Sequence, residues 1–224
     1  MIIYAIFILI SLGSYLVQKR LTDKFAKYSR VPLPVPMTGA DVARMMLQQN
    51  GITDVAIQPV GGTLSDHFDP TRNTVNLSAD VFQTNSVAAA AVAAHECGHV
   101  LQHRFGYTML KLRTLLVPAV SLASKWVSWI LLIGIVLIEA FPAILLFGVA
   151  LFAITTLFSL ITLPVEIDAS RRAVKWLQTA GITSGTLTDQ ASDALRAAAY
   201  TYVIAALGSL ATLIYYAQLV LGRR

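Results

Sequence analysis

Residues 143–172 read "AILLFGVALFAITTLFSLITLPVEIDASRR", and the change of character at Pro164 decides how the chain is built. Residues 143–163 carry no charge and match the roughly 20 apolar residues that one bilayer crossing needs. Immediately beyond them stand Glu166, Asp168, Arg171 and Arg172, so the chain returns to water within one helical turn of leaving lipid. Working outward, residues 2–17, 115–138 and 197–221 are also long and apolar enough to span. Lys125 interrupts the second of these runs, and its long stem can carry the ammonium to the headgroups along a tilted helix. Across the 224 residues, 56% are hydrophobic and 13% charged, with mean hydropathy +0.65. That exceeds the roughly 45–50% apolar content of an average soluble domain. A mostly α integral membrane protein with about four transmembrane helices is therefore expected, carrying a small α+β domain.

Charge placement orients it. Lys19, Arg20, Lys24, Lys27 and Arg30 follow the first apolar run, with no basic residues before it and no small-residue cleavage site, which predicts an uncleaved anchor with its C-terminal end cytoplasmic. Arg104, Lys111 and Arg113 precede the second run, and Arg171, Arg172, Lys175 and Arg196 lie between the third and fourth. All fall on one side, leaving the turn at residues 139–142 opposite and Arg223 and Arg224 as the exceptions. The net charge of +5 thus follows from topology, and nucleic-acid binding is not needed to explain it. One cysteine excludes an internal disulfide, which suits a reducing cytoplasmic face. The expected organisation is an anchor over 1–18, a cytoplasmic domain over 31–113, a membrane hairpin over 114–163, a cytoplasmic helix and linker over 164–196, and a last span over 197–222.

Within the polar part, Thr38 caps a short helix that Gly51 follows, residues 55–60 and 73–78 read as strands of a small hairpin or sheet, and Ser86 caps an Ala-rich helix running to about Arg104. That helix carries "AHECGH", residues 94–99, which places two of the chain's four histidines and one of its three glutamates within five positions. Random placement from this composition gives such a pattern about once in a thousand chains. Residues i and i+4 of a helix differ by about 40° and about 6 Å, so the imidazoles of His95 and His99 can converge on one cation. Neutral imidazoles suit Zn²⁺, and Glu96 beside them is placed to act as a general base without being a ligand.

A catalytic zinc takes three protein ligands. His103 lies about 12 Å from His95 on a straight helix, too far to share the ion, and Cys97 points away as a small buried hydrophobe. Glu166 is the expected third ligand. Two crossings separate it from His99, and an even number returns the chain to the face it left. The alternative is a glutamate at a helix start interacting with the dipole. Asp168, about 200° round the helix, is assigned to support of a ligand or to an ion pair with Arg172. His67, Tyr107, Arg171 and Arg172 are candidates to stabilise the transition state. For His67 the alternative is a satisfied turn histidine, and for the arginines it is membrane anchoring. Thr74, Val75, Asn76 and Leu77 are expected to form an edge strand that pairs with an extended substrate.

On "SDHFDP" (65–70), "VNLS" (75–78), "AAHECGHVLQH" (93–103) and "LPVEIDASRRA" (163–173), with an anchor before them and a membrane hairpin between the last two, the chain resembles the YugP-like family of bacterial membrane zinc metallopeptidases. The ligand pattern is also similar to that of the gluzincin peptidases, whose third ligand is a helix glutamate followed shortly by Ala-Asp. Here Ser170 stands where those relatives carry the aspartate. The resemblance implies a zincin-like cytoplasmic domain, Zn²⁺ as cofactor and peptide-bond hydrolysis in a bacterial plasma membrane. Its partners would be a peptide or membrane-protein substrate and the bilayer, with an oligomer or a regulatory membrane partner left open. The rival outside enzymes is a zinc-dependent membrane scaffold or chaperone. An intramembrane protease fits poorly, because Asn85 and Ser86 leave only about ten apolar residues before His95.

Overall fold

The computed structural model describes residues 2–222, with side chains in the first helix placed from Ile6 onward. Arg223 and Arg224, and part of the expected anchor at 1–18, lie outside the described residues. The chain forms two compact units. One contains residues up to Leu16, 108–164 and from Thr201 on; the other contains Val17–Tyr107 and Val165–Tyr200.

In the first unit, helix α5 (Thr108–Val136) turns through residues 137–141 into α6 (Pro142–Thr179), which opens on a proline whose missing N–H costs nothing at that position. The turn falls where the uncharged runs stop. α5 and α6 approach closely because Gly134 lacks a side chain; a Cβ there would meet the backbone of Leu145 at 2.7 Å. With α7 (Thr186–Leu221), three helices among the described residues are long and apolar enough to cross a membrane. This is one fewer than expected, because the first run begins outside the described side chains. Most of these surfaces are exposed, Trp126, Trp129 and Leu132 among them, as helices that face lipid rather than a protein core require.

The second unit is α+β. Helix α1 (Ile2–Tyr28) enters it at Val17, and α2 (Gly39–Gln49) follows behind the expected cap. The Thr38 hydroxyl accepts the Asp41 N–H while the Asp41 carboxylate accepts the Thr38 N–H, which closes a capping box. Strands β1 (Ala56–Val60), β2 (His67–Asp69) and β3 (Thr74–Ser78) form one sheet in the order β1-β3-β2, with β3 parallel to β1 and antiparallel to β2. The tight turn joins β2 to β3: Asp69 Oδ1 accepts the N–H groups of Thr71 and Arg72, and Asn73 takes the left-handed conformation at φ 54°.

Two expectations change here. Thr74, Val75, Asn76 and Leu77 lie in the central strand: the first three are paired on both sides and Leu77 with β1, so the strand is not the sheet edge expected for a substrate. The physical reason is burial: Val75 and Leu77 are fully buried in the core, which only the middle of the sheet provides. The second change concerns α6, which does not restart after the apolar run. Pro164 lies inside one continuous helix, so Glu166 is mid-helix and the dipole reading loses its footing. Proline is tolerated inside a membrane helix where nearby hydroxyls and neighbouring groups satisfy the freed backbone.

Short helix α3 (Ala79–Phe82) leads to α4 (Val87–Arg104), capped by the Ser86 hydroxyl accepting the Ala89 N–H. The α4 alanines, Ala88 to Ala91 with Ala93 and Ala94, are buried, and their small side chains let neighbours come close on all sides. Val42, Met46 and Leu47 from α2, Val75 and Leu77 from β3, and Ala173, Leu177 and Leu195 from α6 and α7 complete the core around α4. Each large apolar side chain so buried contributes about 1.5–3 kcal/mol.

Candidate metal centre

His95 and His99 project from one face of α4, as their spacing requires. Their rings stand 4.7 Å apart at 84°. Glu166 enters from α6 and places Oε2 3.3 Å from His95 Nε2 and 3.5 Å from His99 Nε2. These three donor atoms lie within 4.8 Å of one another, and they form the one such group among the described residues. The spacing can be tested against metal chemistry. Zinc holds nitrogen and oxygen ligands at about 2.0–2.1 Å, so the edges of its tetrahedron measure about 3.3–3.4 Å. Both observed separations match, and two imidazoles with one carboxylate form a recognised catalytic zinc donor set. The residues fit the ion.

What brings α6 near enough is Gly98, between the two histidines. A Cβ there would lie 2.7 Å from the Ala169 carbonyl oxygen, so only glycine allows the α6 backbone to rest against α4 at this level. Ala169 and Ala173, both fully buried, present the matching smooth face.

Both histidines are held from behind. The Gln102 side chain, fully buried, donates from Nε2 to the Val165 carbonyl at 2.7 Å and to Asp168 Oδ2 at 2.9 Å. Those two acceptors fix which end of the amide is which. Oε1 must therefore face His99 Nδ1, 3.0 Å away, and Nδ1 carries the proton. The lone pair is left on Nε2, on the Glu166 side, as a metal ligand needs. The Ser170 hydroxyl lies 3.1 Å from His95 Nδ1, where it can accept the Nδ1 proton and leave the Nε2 lone pair toward Glu166. Burial disfavours a charged His99, but the carboxylates of Glu166 and Glu96 outweigh it and hold His99 above its ordinary value. The site is thus electronegative and attracts a cation.

Glu96 is buried beside His95, at 7% exposure. Cys97 is buried on the opposite side with Sγ toward the Ala43 carbonyl, and burial pushes its thiol up, so it is packing and not a ligand. His103 is exposed and packs edge-on against Phe68, outside the group. Asp168 accepts from Gln102 Nε2, whose other end meets His99, and from Arg172 Nε at 2.6 Å. The Arg172 guanidinium in turn stands 5.9 Å over the Tyr107 ring. His67 on β2 is exposed, with Nδ1 2.8 Å from the Ser65 carbonyl oxygen and Nε2 3.3 Å from Asn76 Nδ2. Serine and asparagine are thus its partners. Arg171 lines a cavity between α6 and α7.

Sequence reasoning missed Gln102 and the role of Ser170. Both carried a signal in their spacing: Gln102 is three residues after His99 and Ser170 four after Glu166, the two offsets that share a helix face.

A family model described as "Putative neutral zinc metallopeptidase" matches residues 1–221. The "Putative membrane protease YugP" of Bacillus subtilis (strain 168) is 42% identical over 211 residues, covering 94% of this chain and 93% of that protein. No solved structure matches.

Proposed function

The chain belongs to the zinc metallopeptidase family whose model it matches, and from that premise we propose that it is a membrane-embedded endopeptidase working at the cytoplasmic face. His95, His99 and Glu166 would hold Zn²⁺. When bound, the ion supplies a Lewis acid that polarises a carbonyl and makes water a nucleophile near neutral pH. Glu96, buried on the same helix turn, takes the proton from the attacking water and passes it to the leaving amine. Gln102 and Ser170 keep both Nε2 atoms turned to the site throughout. The observation that carries this reading is the separation of 3.3 and 3.5 Å between the imidazoles and one carboxylate oxygen, with a second carboxylate next to them in sequence and buried.

With β3 central, an extended substrate must pair elsewhere. β2 is an outer strand whose Phe68 packs on His103 of the motif helix, which supports β2 as the edge nearest the chemistry.

Glu96→Gln is the deciding experiment. General-base catalysis contributes about 10²–10⁴-fold, so cleavage should fall by that much while zinc content and melting temperature stay at wild-type levels. A Glu96→Gln protein that cleaves normally, or that loses cleavage only because it no longer binds zinc, refutes the assignment. A zinc-dependent scaffold would keep its cellular function with this substitution.

A further inference from the structure

Beside the metal group, α6 and α7 border a half-open cavity of about 510 Å³ that the proposed chemistry does not use. Arg171 and Lys175 from α6 and Arg196 from α7 line it, with Ser170 and Ser192 between them and Ile167, Val174 and Leu195 on the apolar side. Among the described residues, the ion pairs engage other side chains, and none of these three cations has a carboxylate partner. Three like charges around one concavity repel one another, and Arg171 with Lys175 does so at the i,i+4 spacing at which like pairs are unfavourable. Such an arrangement attracts and holds an anion.

The cavity is not remote from the site. At about 100° per residue, Glu166 and Ala169 face α4, whereas Ile167, Arg171, Val174 and Gln178 form a neighbouring stripe facing α7. Ser170 lies on the seam between the two faces. Its hydroxyl is 3.1 Å from His95 Nδ1, and it is also part of the cavity wall. One side chain, Ser170, therefore touches both the cavity and a proposed metal ligand.

We propose that this cavity is a specificity subsite that binds a carboxylate of an acidic peptide substrate, supplied either by an Asp or Glu side chain or by a free C-terminus. Arg171, Lys175 and Arg196 neutralise the carboxylate, Ser192 gives it a hydroxyl, and Ile167, Val174 and Leu195 take the methylene groups behind it. The inference rests on the peptidase reading above, and it deepens that reading by naming a substrate class.

The test uses the full-length protein, zinc-loaded and held in nanodiscs of zwitterionic lipid. Fluorescent peptides are compared in three forms that differ only in charge: Asp/Glu side chains with a free C-terminus, the Asn/Gln isosteres with a free C-terminus, and the isosteres with an amidated C-terminus. Binding is read by anisotropy on Glu96→Gln and cleavage on the wild type. At least fivefold tighter binding of a carboxylate-bearing form over the fully neutral form is expected, and the first two forms identify which carboxylate is read. Lys175→Gln with Arg196→Gln should bring that ratio to within twofold of unity, and Lys175→Arg should keep it. Equal binding of all three forms by the wild type overturns the proposal, as does a preference that survives the double substitution. So does a charge effect that appears only when anionic lipid is added, which would assign the cations to headgroups. The two readings fail separately: carboxylate-selective binding without any cleavage refutes the peptidase function alone, and cleavage without selectivity refutes the subsite alone.

Discussion

Replacing Gly98 by alanine sets two physical effects against each other. Alanine is the better helix former by about 1 kcal/mol, so propensity alone makes Gly98→Ala stabilising for α4. The contact with α6 says the opposite. The new Cβ would stand 2.7 Å from the Ala169 carbonyl oxygen and 3.1 Å from its Cα, and ordinary contact begins near 3.4 Å, so the α6 backbone must retreat by about 0.7 Å. A backbone carbonyl has no rotamer by which to avoid the clash. Ala169 is one turn from Glu166 and adjacent to Ser170, so the retreat draws the carboxylate away from both Nε2 atoms. Metal sites tolerate ligand displacements of about 0.2 Å. We expect zinc affinity to fall by about 10- to 100-fold, equivalent to about 1.4–2.8 kcal/mol. The assay is competitive titration with a chromophoric chelator on full-length protein in detergent, with the metal-free melting temperature as control for fold. Zinc affinity within twofold of wild type, in a protein that is still folded, would refute the close-approach argument.

Gln102→Leu should weaken zinc binding by about 10- to 100-fold, because it frees the His99 ring and unties it from the Val165 carbonyl and Asp168; Ser170→Ala should act in the same direction on His95, and unchanged affinity in both would remove the orienting role. Glu166→Ala should purify without stoichiometric zinc, and metal analysis showing one ion per chain would exclude Glu166 as the third ligand. Thr38→Ala should cost about 0.5–2 kcal/mol of stability by opening the capping box, read as a lower melting temperature. Hydrogen bonds from the Thr38 hydroxyl and N–H hold the Asp41 carboxyl below its ordinary value, so its contribution is complete above the unfolded carboxyl range and is lost as pH falls through the lowered folded value. The melting difference between wild type and Asp41→Asn should accordingly shrink in acid, and a difference that grows there would reverse the sign of the argument.

Much of the site was legible because its signals are short-range. The i,i+4 histidines, the caps at Thr38 and Ser86, and the uncharged runs all depend on residues within a few turns, where backbone geometry fixes what can meet. Glu166 was within reach as well, since counting crossings places it on the same face as His99. Its surroundings were not. Pro164 looked like a boundary, yet the helix runs through it, because a proline's cost depends on what else satisfies the backbone there and not on the proline alone.

The residues "TVNLS" show the same division. Alternation and turn chemistry identified a strand over 73–78, observed at Thr74–Ser78, but a strand's pattern does not state which sides of it are paired. That depends on β1 and β2, and the order β1-β3-β2 turned the expected edge into the centre.

The sequence by itself determined the candidate membrane segments, the motif helix and which three side chains are candidate donors. Tertiary structure alone decided that Gln102 reaches across 63 positions to Val165, that Ser170 meets His95 across 75, and that three cations share a cavity. The reason is that hydrogen bonds between helices and the pairing of charges depend on how near two backbones come. Here that distance is set by the missing side chain of Gly98, which no local pattern measures.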